Sequence, residues 1–111
     1  MASTDQLLVD GESLAALRAL LTAPKFVDLP GTDTAAERER CAAAFDELLS
    51  RLIGGVEESP TKSWVLGQFV RTLEFAAGED TEARERFGPY FERVMDILGI
   101  ETSDGLLNSY L

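Results

Sequence analysis

The sequence contains no histidine and one cysteine, Cys41, in 111 residues. Without imidazole there is no histidine general base, no Ser-His-Asp or Cys-His arrangement and no imidazole metal ligand. A lone cysteine excludes an intramolecular disulfide and a thiolate zinc cluster. Positive charge is scarce too: 10 Lys and Arg stand against 20 Asp and Glu, a formal net charge of −10. That sign is unfavourable for binding a phosphate backbone, so nucleic acid is not an expected partner. Long apolar runs are missing as well. The longest, Cys41 to Phe45, is far short of the roughly 20 residues that span a bilayer. The first ten residues, with acids at Asp5 and Asp10, have neither the basic n-region nor the apolar h-region of a signal peptide. A cytoplasmic protein with no membrane partner is expected.

What is present is a globular composition, 45% hydrophobic and 27% charged, in a length that supports one core. Residues 1–111 are therefore read as a single helical domain. A first helix begins near Asp10 to Ser13, carries Leu14, Leu17, Leu20 and Leu21 on one face, and stops at Pro24. Between Ala23 and Asp33, Pro24, Pro30 and Gly31 mark a loop whose Phe26, Val27 and Leu29 are expected to tuck under the helices. Thr34 followed by Glu37 is a capping-box pattern and starts a second helix. Its stripe is Ala42, Phe45, Leu48, Leu49, Leu52 and Ile53, and Gly54-Gly55 is expected to supply a left-handed end.

Ser59-Pro60 reads as the start of a third helix, because serine caps well and proline tolerates the first helical position. The predicted stripe is Leu66, Phe69, Val70, Leu73 and Ala77, with Trp64, Val65 and Phe75 off that line. A helix apolar on more than one side belongs at the centre. Gly78 closes it, and Asp80 or Thr81 caps a fourth helix whose buried face is Phe87, Tyr90, Phe91, Val94, Met95 and Leu98. Pro89 removes the amide that would bond the Glu85 carbonyl, so a kink or restart is expected at Gly88-Pro89. After Gly99, a short turn capped by Ser103 is expected to dock Leu106, Leu107 and Tyr110 on the bundle. No segment alternates like a strand. The fold class is all-α, a compact bundle of about four helices with a docked C-terminal segment.

Asp80 to Phe87, Tyr90-Phe91-Glu92 and Met95 to Asn108 resemble a family of small bacterial proteins described as a domain of unknown function. Lys25-Phe26 and Pro30-Gly31 are similar to the same family, whereas Gly88-Pro89 is not part of its pattern. The resemblance implies a helical fold and a bacterial, cytoplasmic origin. It implies no reaction, cofactor or catalytic residue.

The residues themselves leave two functional readings. The first is a protein-binding module, an immunity or antitoxin-like protein whose acidic surface steers it to a basic partner. Glu82, Glu85, Glu92 and Asp96 fall on the outer side of the fourth helix, and Asp104 and Asn108 follow in the tail. Trp64 is the candidate aromatic anchor, and the apolar shoulder of Trp64, Val65 and Phe75 leaves a homodimer open. The second reading is a magnesium-dependent hydrolase of a phosphorylated small molecule, with Glu82, Glu85, Glu101 and Asp104 as oxygen ligands. Those pairs stand at opposite ends of one predicted helix, so only a fold-back at Gly88-Pro89 would unite them. Binding is favoured over catalysis, and no cofactor is expected. Cys41 is read as a packed thiol, although Arg38 and Arg40 nearby would lower its pKa.

Overall fold

Asp10 opens the first helix as predicted: its carboxylate accepts from the Ser13 amide at 2.9 Å and the Ser13 hydroxyl at 3.0 Å. Those two bonds hold the Asp10 pKa below the usual carboxylate value. The computed structural model describes residues 5–27 and 35–111. Its element order is α1 (Gly11–Thr22), α2 (Ala35–Gly55), α3 (Lys62–Ala77), α4 (Thr81–Leu98) and α5 (Leu106–Tyr110). Thr34 and Leu29, on which the capping box and part of the loop reading depend, lie outside the described residues. The described residues hold no strand, only an isolated antiparallel bridge between Gln6 and Thr61. The all-α reading stands.

The helices α1 and α3 each pack on both α2 and α4, and α5 lies on α3. The position of α3 among three other helices agrees with its predicted central place. Aromatic rings fill the interior: Phe26 lies 4.7 Å from Phe87, Phe45 5.3 Å from Phe91, and Phe69 4.9 Å from Phe91 between centroids. Cys41, Leu48, Leu49 and Leu52 line the buried face of α2.

Several local expectations change. Gly54 and Gly55 do not end α2 in a left-handed turn; both belong to the helix, and the left-handed glycines among the described residues are Gly99 and Gly105. Gly55 serves another purpose. A Cβ there would come within 2.6 Å of Trp64 Cζ2, so its bare backbone is the surface on which the indole lies.

The cap of α3 is Thr61, whose hydroxyl accepts from the Trp64 amide at 3.2 Å, and not Ser59. Pro60 is kept out of the helix because its carbonyl accepts from the Leu7 amide at 2.7 Å, while the Lys62 amide donates to the Asp5 carbonyl at 2.7 Å. The N-terminal segment thus consumes the groups that a helix starting at Pro60 would use. The buried face of α3 is also turned from its predicted stripe: Val65, Phe69, Thr72, Leu73 and Ala76 are inside, while Ala77 is exposed. Thr72 is tolerated there because its hydroxyl accepts from Arg51 Nη2 at 3.4 Å.

The helix α4 runs unbroken through Gly88 and Pro89, so the predicted restart does not occur. Pro89 and Glu85 both face solvent, where water can satisfy the carbonyl that loses its intrahelical partner. On the other side Phe87, Phe91 and Val94 are buried and hold the helix to the core. In the loop after α1, Phe26 is buried as expected and Val27 is not, at 67% exposed. Phe26 adopts a positive φ of 60°, a strained position for a residue with a Cβ. Its amide donates to Tyr90 Oη at 3.0 Å and its ring packs on Tyr90 and Phe87, which holds that conformation.

Candidate functional site

The acidic face of α4 divides in two. Glu82 and Glu85 are exposed near its N-terminus, where Asp80 caps the helix by accepting from the Ala83 amide at 3.0 Å. Glu92 and Asp96, four residues apart and hence on one face, are exposed in its C-terminal half. Gly99 then ends α4 at φ 74°, and the Ile100 amide donates to the Met95 carbonyl at 2.8 Å. Such a reversal is open to glycine at little steric cost. Ile100, buried beside α4, pins the returning chain.

A second reversal follows at Asp104 and Gly105, with φ of 56° and 88°. It launches α5, whose Leu107 amide is satisfied by the Ser103 hydroxyl at 3.2 Å, the role expected of Ser103. Leu106, Leu107, Tyr110 and Leu111 pack against the core, as the docked-tail reading requires. Between the C-terminal half of α4 and this tail lies a groove of about 460 Å³. Glu92, Asp96 and Glu101 supply its carboxylates, Thr102, Ser103 and Asn108 its neutral polar groups, and Leu107 and Leu111 its accessible apolar surface, over the buried Met95. Among the described residues no lysine or arginine lines it.

The fold therefore brings together three of the predicted binding residues, Glu92, Asp96 and Asn108, and adds Glu101. The others lie elsewhere. Glu82 and Glu85 remain at the far end of α4, and the straight rise from Glu82 to Leu98 is about 24 Å at 1.5 Å per residue. Asp104 turns away to pair with Lys62 at 2.8 Å. With α4 continuous, Glu82 and Glu85 do not meet Glu101 and Asp104. Among the described residues no group of three or more His, Cys, Asp or Glu is placed to hold a metal ion.

Trp64 is half-buried against Gly55 and is not a free anchor. The proposed dimer shoulder is likewise used inside the chain: Val65 is fully buried, and Phe75 meets Phe87 edge-on at 6.2 Å. Cys41 departs from its expected electrostatics. Burial pushes its thiol up to about 12, and Glu79, whose Oε1 accepts from Sγ at 3.6 Å, reinforces that rise against Arg40. The arginine is neutralised by the same carboxylate, at 2.7 Å.

Lys25 has a structural role that sequence reading missed. Its ammonium donates to the carbonyls of Leu20, Leu21 and Ala23 at 2.7, 3.1 and 2.7 Å and lies 2.7 Å from Asp46 Oδ1. Three protons serve the three carbonyls, so Asp46 Oδ1 receives charge without a hydrogen bond of its own. A lysine just beyond a helix end is the one signal that would have suggested it. The groove floor was missed for a different reason. Met95 is buried in the core as the α4 stripe implies and Leu107 packs against it, and only the double reversal at Gly99 and Gly105 brings Glu101 and Asn108 beside the carboxylates of α4. Among the described residues no helix is long and apolar enough to cross a membrane.

No curated protein and no solved structure matches the chain. A family model, Domain of unknown function (DUF4844), matches residues 8–111.

Proposed function

The chain belongs to the DUF4844 family, and from that premise we propose that it is a protein-binding module whose acidic groove engages a basic protein, in the manner of an immunity or antitoxin-like protein that acts by occlusion. The observation that carries this reading is the convergence of Glu92, Asp96 and Glu101 on one groove without a lysine or arginine in its lining. Carboxylates gathered at a partly apolar concavity speed encounter with a cationic partner and reject acidic competitors. A bacterial cytoplasmic setting is part of the same proposal.

The experiment is affinity capture from native lysate at low and moderate salt, comparing the wild type with Glu92→Lys/Asp96→Lys. A stoichiometric basic protein held by the wild type and lost by the double variant is the expected result. An identical set of captured proteins for both baits overturns the reading.

A further inference from the structure

We infer that the groove's occupant is an amphipathic segment of the partner, with arginine or lysine beside leucine-like residues, received across Asp96 with one apolar contact in the groove and a second on Leu8. This rests on the reading that the acidic face of α4 takes a basic protein, and it adds the chemistry of the segment.

Asp96 lines two depressions at once. On one side is the groove with Glu92, Glu101 and Met95; on the other is a concavity of about 330 Å³ walled by Leu8, Ile97 and Gly99. Leu8 is 93% exposed. It is not part of a frayed end, because the neighbouring Leu7 is buried and its amide donates to the Pro60 carbonyl at 2.7 Å. A leucine presented to water by an anchored backbone offers a partner apolar area at little ordering cost.

Among the described residues no lysine or arginine lines either depression. Asp96 therefore stands between the half-buried Leu107 and Leu111 of the groove and the exposed Leu8 of the neighbouring concavity. A purely polar cation would leave Leu8, Leu107 and Leu111 uncovered, whereas a purely apolar helix would strip water from carboxylates without replacing it. Only a segment carrying both chemistries satisfies the whole surface, and long cationic side chains supply apolar stems as well as charge.

The probe is a fluorescent synthetic peptide repeating leucine, arginine, arginine, leucine, followed by anisotropy with the full chain, beside a control of equal charge with serine for leucine. Binding of the leucine peptide is expected, weakened about tenfold by Leu8→Ser and by at least as much by Asp96→Lys. Glu85→Lys, an equal charge change at the far end of α4, is expected to alter affinity less than twofold beyond the general salt-screened effect. The serine control is expected to bind at least about tenfold more weakly than the leucine peptide. Leu8 and Asp96 are exposed, and thermal unfolding of each variant verifies that the fold is kept.

Unchanged affinity in Leu8→Ser with a loss in Asp96→Lys overturns the two-contact inference while the basic-partner reading stands. Equal affinity for the two peptides does the same. Equal losses in Asp96→Lys and Glu85→Lys overturn the location, and failure of both peptides to bind at low salt overturns this inference together with the reading beneath it.

Discussion

Trp64 and Gly55 are fitted to one another: the indole of Trp64 occupies the space that a side chain at position 55 would need, with Cζ2 2.6 Å and Cη2 2.8 Å from the position of a Cβ. The last turn of α2 and the first turn of α3 close on each other through this contact. Gly55→Ala is expected to destabilise the protein by about 1–3 kcal/mol, the usual cost of overpacking. Gly54 has nothing within 4 Å of its missing Cβ, so Gly54→Ala should be neutral or stabilising by up to about 1 kcal/mol through helix propensity. Urea denaturation of the two variants provides the comparison, and equal effects would refute the packing argument.

Lys25 closes the end of α1 and ties it to α2 through Asp46. Lys25→Met keeps most of the apolar stem but leaves three carbonyls without their donor, and a loss of about 2–3 kcal/mol is expected. Asp46→Asn should cost only about 1 kcal/mol or less, because the carboxylate is 39% exposed and water takes over part of its role. A larger loss for Asp46→Asn than for Lys25→Met, measured by chemical unfolding, would reverse this assignment.

Cys41 should be inert to a thiol reagent in the native protein near neutral pH and react only on unfolding, since its pKa is raised to about 12. The raised pKa also sets a pH dependence. Above the ordinary thiol value of 9.0 the unfolded chain loses the thiol proton while the folded chain retains it, so stability falls as pH rises through the interval toward about 12. Below that interval the thiol is neutral in both states and contributes no slope. At pH about 10.5 the loss from this group is about 2 kcal/mol. Cys41→Ala is expected to show a shallower decline over the same range, measured by urea unfolding at each pH.

Pro89 interrupts the bonding of α4 without interrupting the helix. Pro89→Ala restores an amide facing the Glu85 carbonyl and is expected to raise stability by about 1–3 kcal/mol, visible as a higher Tm. No change, or a loss, would mean that Pro89 contributes by restricting the unfolded chain more than it costs the helix.

Much of the fold was legible because helices announce themselves locally. Asp10 and Asp80 are short acceptors placed to bond the amides three residues on, and Gly99 stands where a reversal needs positive φ. The apolar spacing of Phe45, Leu48, Leu49 and Leu52 specified the inner face of α2 in the same way. The candidate site was half legible: Glu92 and Asp96 share a face by helical geometry alone, but nothing local says that Glu101 and Asn108 return beside them. The errors occurred where a residue's partner is distant in sequence. Pro60 was taken from α3 by Leu7, the face of α3 was chosen by the three helices around it, and Cys41 is governed by Glu79 more than by the adjacent Arg40.

By itself, the sequence determined the helical class, the acid excess and the absence of histidine chemistry, since these follow from composition, period and capping within a few residues. Tertiary structure alone decided that α4 stays whole across Pro89, that Trp64 faces Gly55, and that the acids separate into a lone N-terminal pair and a grooved C-terminal group. The reason is physical. A side chain's preferences reach about one helical turn along the chain, whereas burial and charge pairing act through space between segments that only the completed fold brings within contact distance.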